Sequence, residues 1–398
     1  MKTCFVLLFF VFVANNCFAQ NKDYVFGLNA QYGFVWVHTA QVESVRGTKP
    51  QSLSFSFVKQ YTDEKTYQKW HFFARQGVQF TYTDFHQPAT SVLGKAYILS
   101  YILQPIIPLN ENLNLVFTGT FGGAYLTRPY NANTNPGNQS YSESLNARLG
   151  LSAGLEYNIG ENYALNLSAD YNHISNGGMK QPNRGINYPT ASIGIVYHTN
   201  SNRLPKYQKV KDDSWKQDNG IKKDFSIFFS PKDGYAKIDP SQAYNTGAWK
   251  QQWKALIGGN IQFSKRVSGV NALNLGVETY YDGAVASIKN NRGYPSSNMF
   301  VGLLAGNEFI IGRFLFSQQL GWYLYKNTKY LDTTYYNQNN GTNIYATPFY
   351  QRYGIKYRFS DNWFAGFNLL AHGKTADFFD FRLTYRLGRV RFSAERFE

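Results

Sequence analysis

The feature that most restricts this chain is a two-residue alternation that recurs along nearly its whole length. In Leu145–Ile159 one row reads Leu145, Ala147, Leu149, Leu151, Ala153, Leu155, Tyr157 and Ile159. The other reads Asn146, Arg148, Gly150, Ser152, Gly154, Glu156 and Asn158. Successive side chains leave a strand on opposite faces, so this segment makes one apolar and one polar wall. Phe379, Phe381, Leu383, Tyr385 and Leu387 repeat it against Asp380, Arg382, Thr384 and Arg386. No segment carries a convincing helical period.

Alternation alone also fits a soluble sandwich, so strand length decides. Many segments run ~10–14 residues, the length of a tilted membrane strand, against ~5–6 in globular sheets. Lipid cannot satisfy an open sheet edge, so such strands must close. The expected fold is therefore all-β: a transmembrane antiparallel β-barrel of about 16 strands. Eight lie near residues 24–38, 51–63, 72–85, 95–108, 113–126, 145–159, 163–175 and 190–199. Eight more lie near 225–232, 252–265, 271–282, 298–311, 314–326, 348–359, 363–372 and 377–387.

Composition fits such a wall. Aromatics are 18% of the chain and charged residues only 16%, as expected where one face meets lipid and the rims carry aromatic girdles. The net charge of +15 suits an anionic partner. For an exported barrel the nearer polyanion is lipopolysaccharide, among the surrounding outer-membrane lipids, not nucleic acid; a charge that merely aids solubility and folding is the plainer reading.

The N-terminus reads as an export signal over residues 1–19: Lys2, an apolar run from Phe5 to Ala14, and a cleavage site after Cys17-Phe18-Ala19. Both cysteines, Cys4 and Cys17, fall inside it. The exported chain is left without a thiol, which excludes disulfide staples and thiol catalysis. With the N-terminus in the periplasm, short turns such as Leu109–Leu113, Ile159–Tyr163 and Ser360–Asn362 fall on the periplasmic side. Long polar connections such as Arg128–Ser144, Asn176–Pro189, Pro231–Lys250 and Asn327–Thr347 fall outside, the usual asymmetry of bacterial barrels. The exception is the charged stretch 201–224, read as a linker between residues 20–200 and residues 225–398. A plug, or a boundary between two eight-stranded units, is the alternative. One continuous barrel is the expectation.

Chemistry concentrates at the end of the seventh strand. His173 and Ser175 continue the apolar, lipid-facing row of Tyr163, Leu165, Leu167, Ala169 and Tyr171. The strand runs outward, so the pair belongs at the outer-leaflet headgroups. A base beside a hydroxyl is the minimum unit of nucleophilic catalysis. An interfacial ring beside a turn serine is the plainer reading of the same two residues. Histidines His38, His71, His86, His198 and His372 show no metal-ligand spacing, and no phosphate-binding loop precedes a helix. No metal or other cofactor is expected. His198 reads as a residue of the periplasmic rim.

The segment His173-Ile174-Ser175-Asn176-Gly177-Gly178, followed by Pro182-Asn183-Arg184-Gly185-Ile186-Asn187, resembles the signature of the lipid A 3-O-deacylase family: His-x-Ser-Asn-x-Gly, then Pro-Asn-x-Gly-Ile and a catalytic acid. The resemblance covers about residues 24–200 and implies a small barrel. The C-terminal half looks like the extension of larger relatives from the Bacteroidetes. The resemblance implies Ser175 as nucleophile, His173 as general base, and Asn176 with the Gly178 backbone as the oxyanion site. It departs at the third member, where the family has Glu and this chain has Asn187. Asn can orient the imidazole without offering it a charge. That set also resembles outer membrane phospholipase A, so a phospholipase is the alternative to a lipid A-cleaving serine esterase. A porin-like or structural barrel with a vestigial motif is the third possibility.

Overall fold

The computed structural model describes residues 23–87, 91–210, 214–218, 220–233, 253–291, 298–326, 347–373 and 375–387. The export signal and the segment 388–398 lie outside the described residues, as does most of the connections 231–250 and 327–347.

Among the described residues sixteen strands form, but they close as two barrels of eight. The first contains β1 (Asp23–Gly33), β2 (Lys49–Tyr61), β3 (Phe73–His86), β4 (Lys95–Pro108), β5 (Leu113–Leu126), β6 (Leu145–Ile159), β7 (Tyr163–Ser175) and β8 (Ile186–His198). It closes where β1 pairs with β8, with Leu28 opposite Ile195. The second contains β9 (Lys222–Asp233), β10 (Trp253–Arg266), β11 (Asn271–Asp282), β12 (Met299–Ile311), β13 (Phe314–Lys326), β14 (Phe349–Arg358), β15 (Trp363–His372) and β16 (Thr375–Leu387). It closes where β9 meets β16, with Phe229 opposite Phe381. All neighbours are antiparallel.

The single continuous barrel is thus corrected: the boundary between two closed units falls between β8 and β9, within the stretch 201–224. Alternation states which face of a strand is wet, but not which strand seals the seam. An eight-stranded barrel is narrow enough for its own side chains to fill, and both lumens are filled in that way. In the first, Arg75 forms a two-pronged pair with Glu156 at 2.7 and 2.7 Å, beside Gln60 and His198. His198, the last residue of β8, is fully buried and turns its ring into the lumen at that end of the barrel. In the second, Arg352 bridges Glu278 and Asp380, while Asp224, Lys356, Glu308 and Arg386 form a further cluster. A polar cavity of about 60 Å³, lined by residues such as Arg148, Asp170 and Asn166, sits inside the first barrel.

The outer walls carry exposed Leu28, Leu149, Leu151, Leu167, Ile193 and their counterparts, as lipid contact requires. Short helices absent from the periodic pattern occupy turns, among them Glu64–Trp70 and Gly283–Asn291. The boundary segment docks on the first of these: Tyr207 packs on Tyr67 and Phe73, and Gln68 bonds the backbone at Gln208 and Val210. The two barrels touch through outer-wall rings, with Phe314 of β13 5.1 Å from Tyr101 of β4.

Candidate active site

The mouth of the first barrel at the β7–β8 connection is stoppered by an apolar cluster that includes Val42, Phe85, Leu93, Tyr141, Ile174, Ile186 and Tyr188. Ile174 and Ile186 face each other across β7 and β8 and are fully buried in that stopper. Period-two geometry then forces their neighbours outward. His173, Ser175 and Asn187 accordingly project from the outer wall, and His173 pairs directly with Asn187 in the strand register. Because β8 begins at Ile186, ahead of the expected 190, Asn187 lies within the strand and shares the outward face of Ala191, Ile193 and Ile195.

The three side chains form a continuous hydrogen-bonded line. Ser175 Oγ lies 3.0 Å from His173 Nε2, and His173 Nδ1 lies 2.7 Å from Asn187 Oδ1. An amide oxygen only accepts, so Nδ1 carries the proton and Nε2 is the free base facing the hydroxyl. This is the tautomer that a serine nucleophile needs.

Two residues join this line that the motif does not contain. Tyr171 Oη donates to Asn187 Oδ1 at 3.0 Å. His38 stands on the other side, its Nδ1 3.2 Å from Asn187 Nδ2 and its Nε2 3.1 Å from the Arg184 carbonyl oxygen. One tautomer satisfies these two contacts: Nε2–H donates to Arg184 and Nδ1 accepts from Asn187, leaving the longer 3.3 Å approach of Nδ1 to the Trp36 carbonyl oxygen without a proton. His38 reaches this place because the chain beyond β1 keeps pairing with β8, Trp36 N–H donating to the Asn187 carbonyl at 2.8 Å. The visible signal is parity, since Leu28, Ala30, Tyr32, Phe34, Trp36 and His38 share one row.

The connection from β7 to β8 is strapped to its neighbour from β5 to β6. Arg184 and Gly185 N–H donate to the Gln139 and Ser140 carbonyls, and Lys180 pairs with Glu143 at 2.8 Å. Asn176 is buried in this turn, its Nδ2 donating to the Lys180 carbonyl and its Oδ1 accepting from Gly178 N–H at 3.1 Å. Asn176 and Gly178 therefore sit beside Ser175, with these two donors engaged inside the turn. Gly185 has φ +72°, and a β-carbon there would stand 2.9 Å from His173 Cε1. Only glycine lets the chain pass this close behind the imidazole.

Around the line lies lipid-facing surface, with Leu145 and Leu149 on β6 and Tyr171 on β7 all exposed. A nucleophile here can meet an ester only if that ester comes to the wall from the membrane.

Comparison with known families gives a match for each barrel. Residues 24–196 match the family model "Lipid A 3-O-deacylase (PagL)", and residues 224–389 match "Acyloxyacyl hydrolase, C-terminal domain". The chain belongs to the lipid A 3-O-deacylase family. The two matches coincide with the two barrels, so the deacylase-type barrel ends where β8 closes on β1. As a member of this family the protein is an outer-membrane β-barrel. Among solved structures, the outer membrane enzyme PagL aligns at 17% identity and TM-score 0.32, covering 42% of this chain and 97% of its own. Neisserial surface protein A aligns at 14% and 0.31, covering 44% and 96%. Ail, the attachment invasion locus protein of Yersinia pestis, aligns at 14% and 0.28, covering 45% and 99%. No curated protein matches the chain.

Proposed function

We propose that this deacylase-family member is a serine esterase that removes the 3-O-linked acyl chain of lipid A. The observation that carries the reading is the outward line Ser175–His173–Asn187 at the external end of β7 and β8. His173 Nε2 takes the Ser175 proton as Oγ attacks the ester carbonyl. Negative charge develops on the carbonyl oxygen, and Gly178 N–H trades its bond to Asn176 Oδ1 for that oxygen. The intermediate collapses as His173 returns the proton to the departing sugar hydroxyl, leaving an acyl-Ser175. Water, deprotonated by His173, then releases the fatty acid. Asn187 holds the imidazole in the reactive tautomer. The acyl chain lies along the exposed leucines of β6, down the lipid-facing wall of the barrel.

Asn187 in place of the family's Glu favours one second reading, a phospholipase with an Asn-His-Ser set. Mass spectrometry of lipid A and phospholipid incubated with the protein separates the two. Loss of the 3-O acyl chain in wild type, abolished by Ser175→Ala, supports the deacylase. Cleavage of phospholipid alone overturns it in favour of the phospholipase, and intact lipid of both kinds removes the esterase.

A further inference from the structure

The second barrel touches the first at the turn that follows the nucleophile. Gly177 has φ +64°, and a β-carbon on it would stand 2.6 Å from Phe379 Cβ. Gly178 has φ +85°, and a β-carbon there would stand 2.7 Å from the Asp377 carbonyl oxygen. Both glycines lie within three positions of Ser175, and both contacts come from the start of β16.

That strand is irregular at this place. Leu370 pairs with Phe378 and Ala371 with Ala376, so the register passes over Asp377. A bulge re-aims the side chain it leaves unpaired. Here the Asp377 carboxylate is buried and meets Lys232 Nζ at 2.6 Å, and Lys232 also meets Asp282 at 2.8 Å. The Asp377 carbonyl oxygen is the atom that approaches Gly178. Phe379 is held by stacking on Phe367, 5.5 Å away at 27°. The surface pressed against the turn is thus anchored in the second barrel on its carboxylate side and on its ring side.

We infer that the second barrel is a brace for the Gly177–Gly178 turn, with Phe379 and Asp377 as positioning residues for the ester-cleaving site of the first barrel. This rests on the esterase reading above. An oxyanion donor acts only within a narrow distance of the developing charge, and the turn's φ values are ones that glycine holds loosely. Packing from outside confines it.

The test is a double-mutant cycle on the full chain, with release of the 3-O acyl chain from lipid A as readout and heat-modifiable electrophoretic mobility as the check of folding. Gly177→Ala strains the backbone whatever it faces, and it also collides with Phe379 Cβ. A misplacement of this order costs kcat about ten- to a hundredfold with KM little changed. In the Phe379→Gly background the collision is gone, so the loss from Gly177→Ala shrinks by about fivefold or more, the coupling expected of residues in contact. Leu383→Ala, on the same outer face but outside the ring cluster that holds Phe379, leaves turnover at the wild-type level. An equal loss from Gly177→Ala in both backgrounds overturns the brace. Wild-type protein that releases no acyl chain overturns the esterase reading itself and the brace with it. If Phe379→Gly does not fold, a Gly177→Cys/Phe379→Cys chain decides through its oxidised cross-link. Formation in the folded protein supports the brace, and absence overturns it.

Discussion

His38 accepts a hydrogen bond from Asn187, Nδ1 to Nδ2, at 3.2 Å, and this contact decides which way the Asn187 amide faces. An amide can turn over and exchange its oxygen for its nitrogen. With Nδ2 committed to His38, Oδ1 is left to His173 and Tyr171. His38→Ala removes that commitment, and the reversed amide would present N–H to an imidazole nitrogen that must itself donate. The expected result is a fall in kcat for lipid A of about tenfold, at nearly constant KM, since loss of an aligning hydrogen bond is worth about 1.4 kcal/mol. Steady-state kinetics on purified protein in mixed micelles measures it.

Asn187→Ala leaves His173 Nδ1 without a partner, and turnover drops by about a hundredfold or more, in the range seen when a triad's orienting member is lost. Asn187→Glu restores an acceptor and keeps at least part of the activity. A carboxylate has two equivalent oxygens and needs no neighbour to choose between them. His38→Ala is therefore expected to cost less in the Asn187→Glu background than in wild type. Equal costs in the two backgrounds count against an orienting role for His38. Full activity in both Asn187→Ala and Asn187→Glu removes Asn187 from the mechanism.

Gly185→Ala tests the space behind the imidazole. Its φ of +72° disfavours a side chain, and the added carbon would reach His173 Cε1 at 2.9 Å. The ring must move, and a shift of this size costs about ten- to a hundredfold in turnover. Gly160, at φ +68° in the short periplasmic turn after β6, has open space where its β-carbon would go. Gly160→Ala carries a similar backbone strain and is expected to leave turnover unchanged.

The lumen pair of the first barrel is a stability element. Arg75→Met leaves the buried Glu156 with only His198, 3.7 Å away, which costs about 3–5 kcal/mol. Arg75→Met/Glu156→Leu removes both charges and is expected to be markedly milder. Urea-dependent unfolding in lipid vesicles, followed by tryptophan fluorescence and gel mobility, ranks the three proteins.

Much of this molecule was legible before its coordinates. β4, β5, β6 and β7 span the residues their alternation marks out, because lipid on one face and packed polar groups on the other leave a strand no freedom of phase. The outward projection of His173 and Ser175 follows from the same parity. What alternation does not encode is the partner across the seam. With one barrel expected, β1 belongs beside the last strand, and His38 is remote from the signature. Closure at eight strands brings β1 against β8 and His38 to Asn187. The missed site residue and the mistaken closure are one error. The short helices escaped for another reason: segments of this length, capped locally as Asp63 caps Glu64–Trp70, carry too few turns to show a period.

Because β1 seals on β8 and β9 on β16, neither cylinder lends the other a hydrogen-bonded edge. Cutting the chain near residue 212 would leave two intact bodies floating in one lipid sheet. Their meeting would then depend on how many of each the sheet holds, and the reach of the active turn would become a matter of crowding in two dimensions.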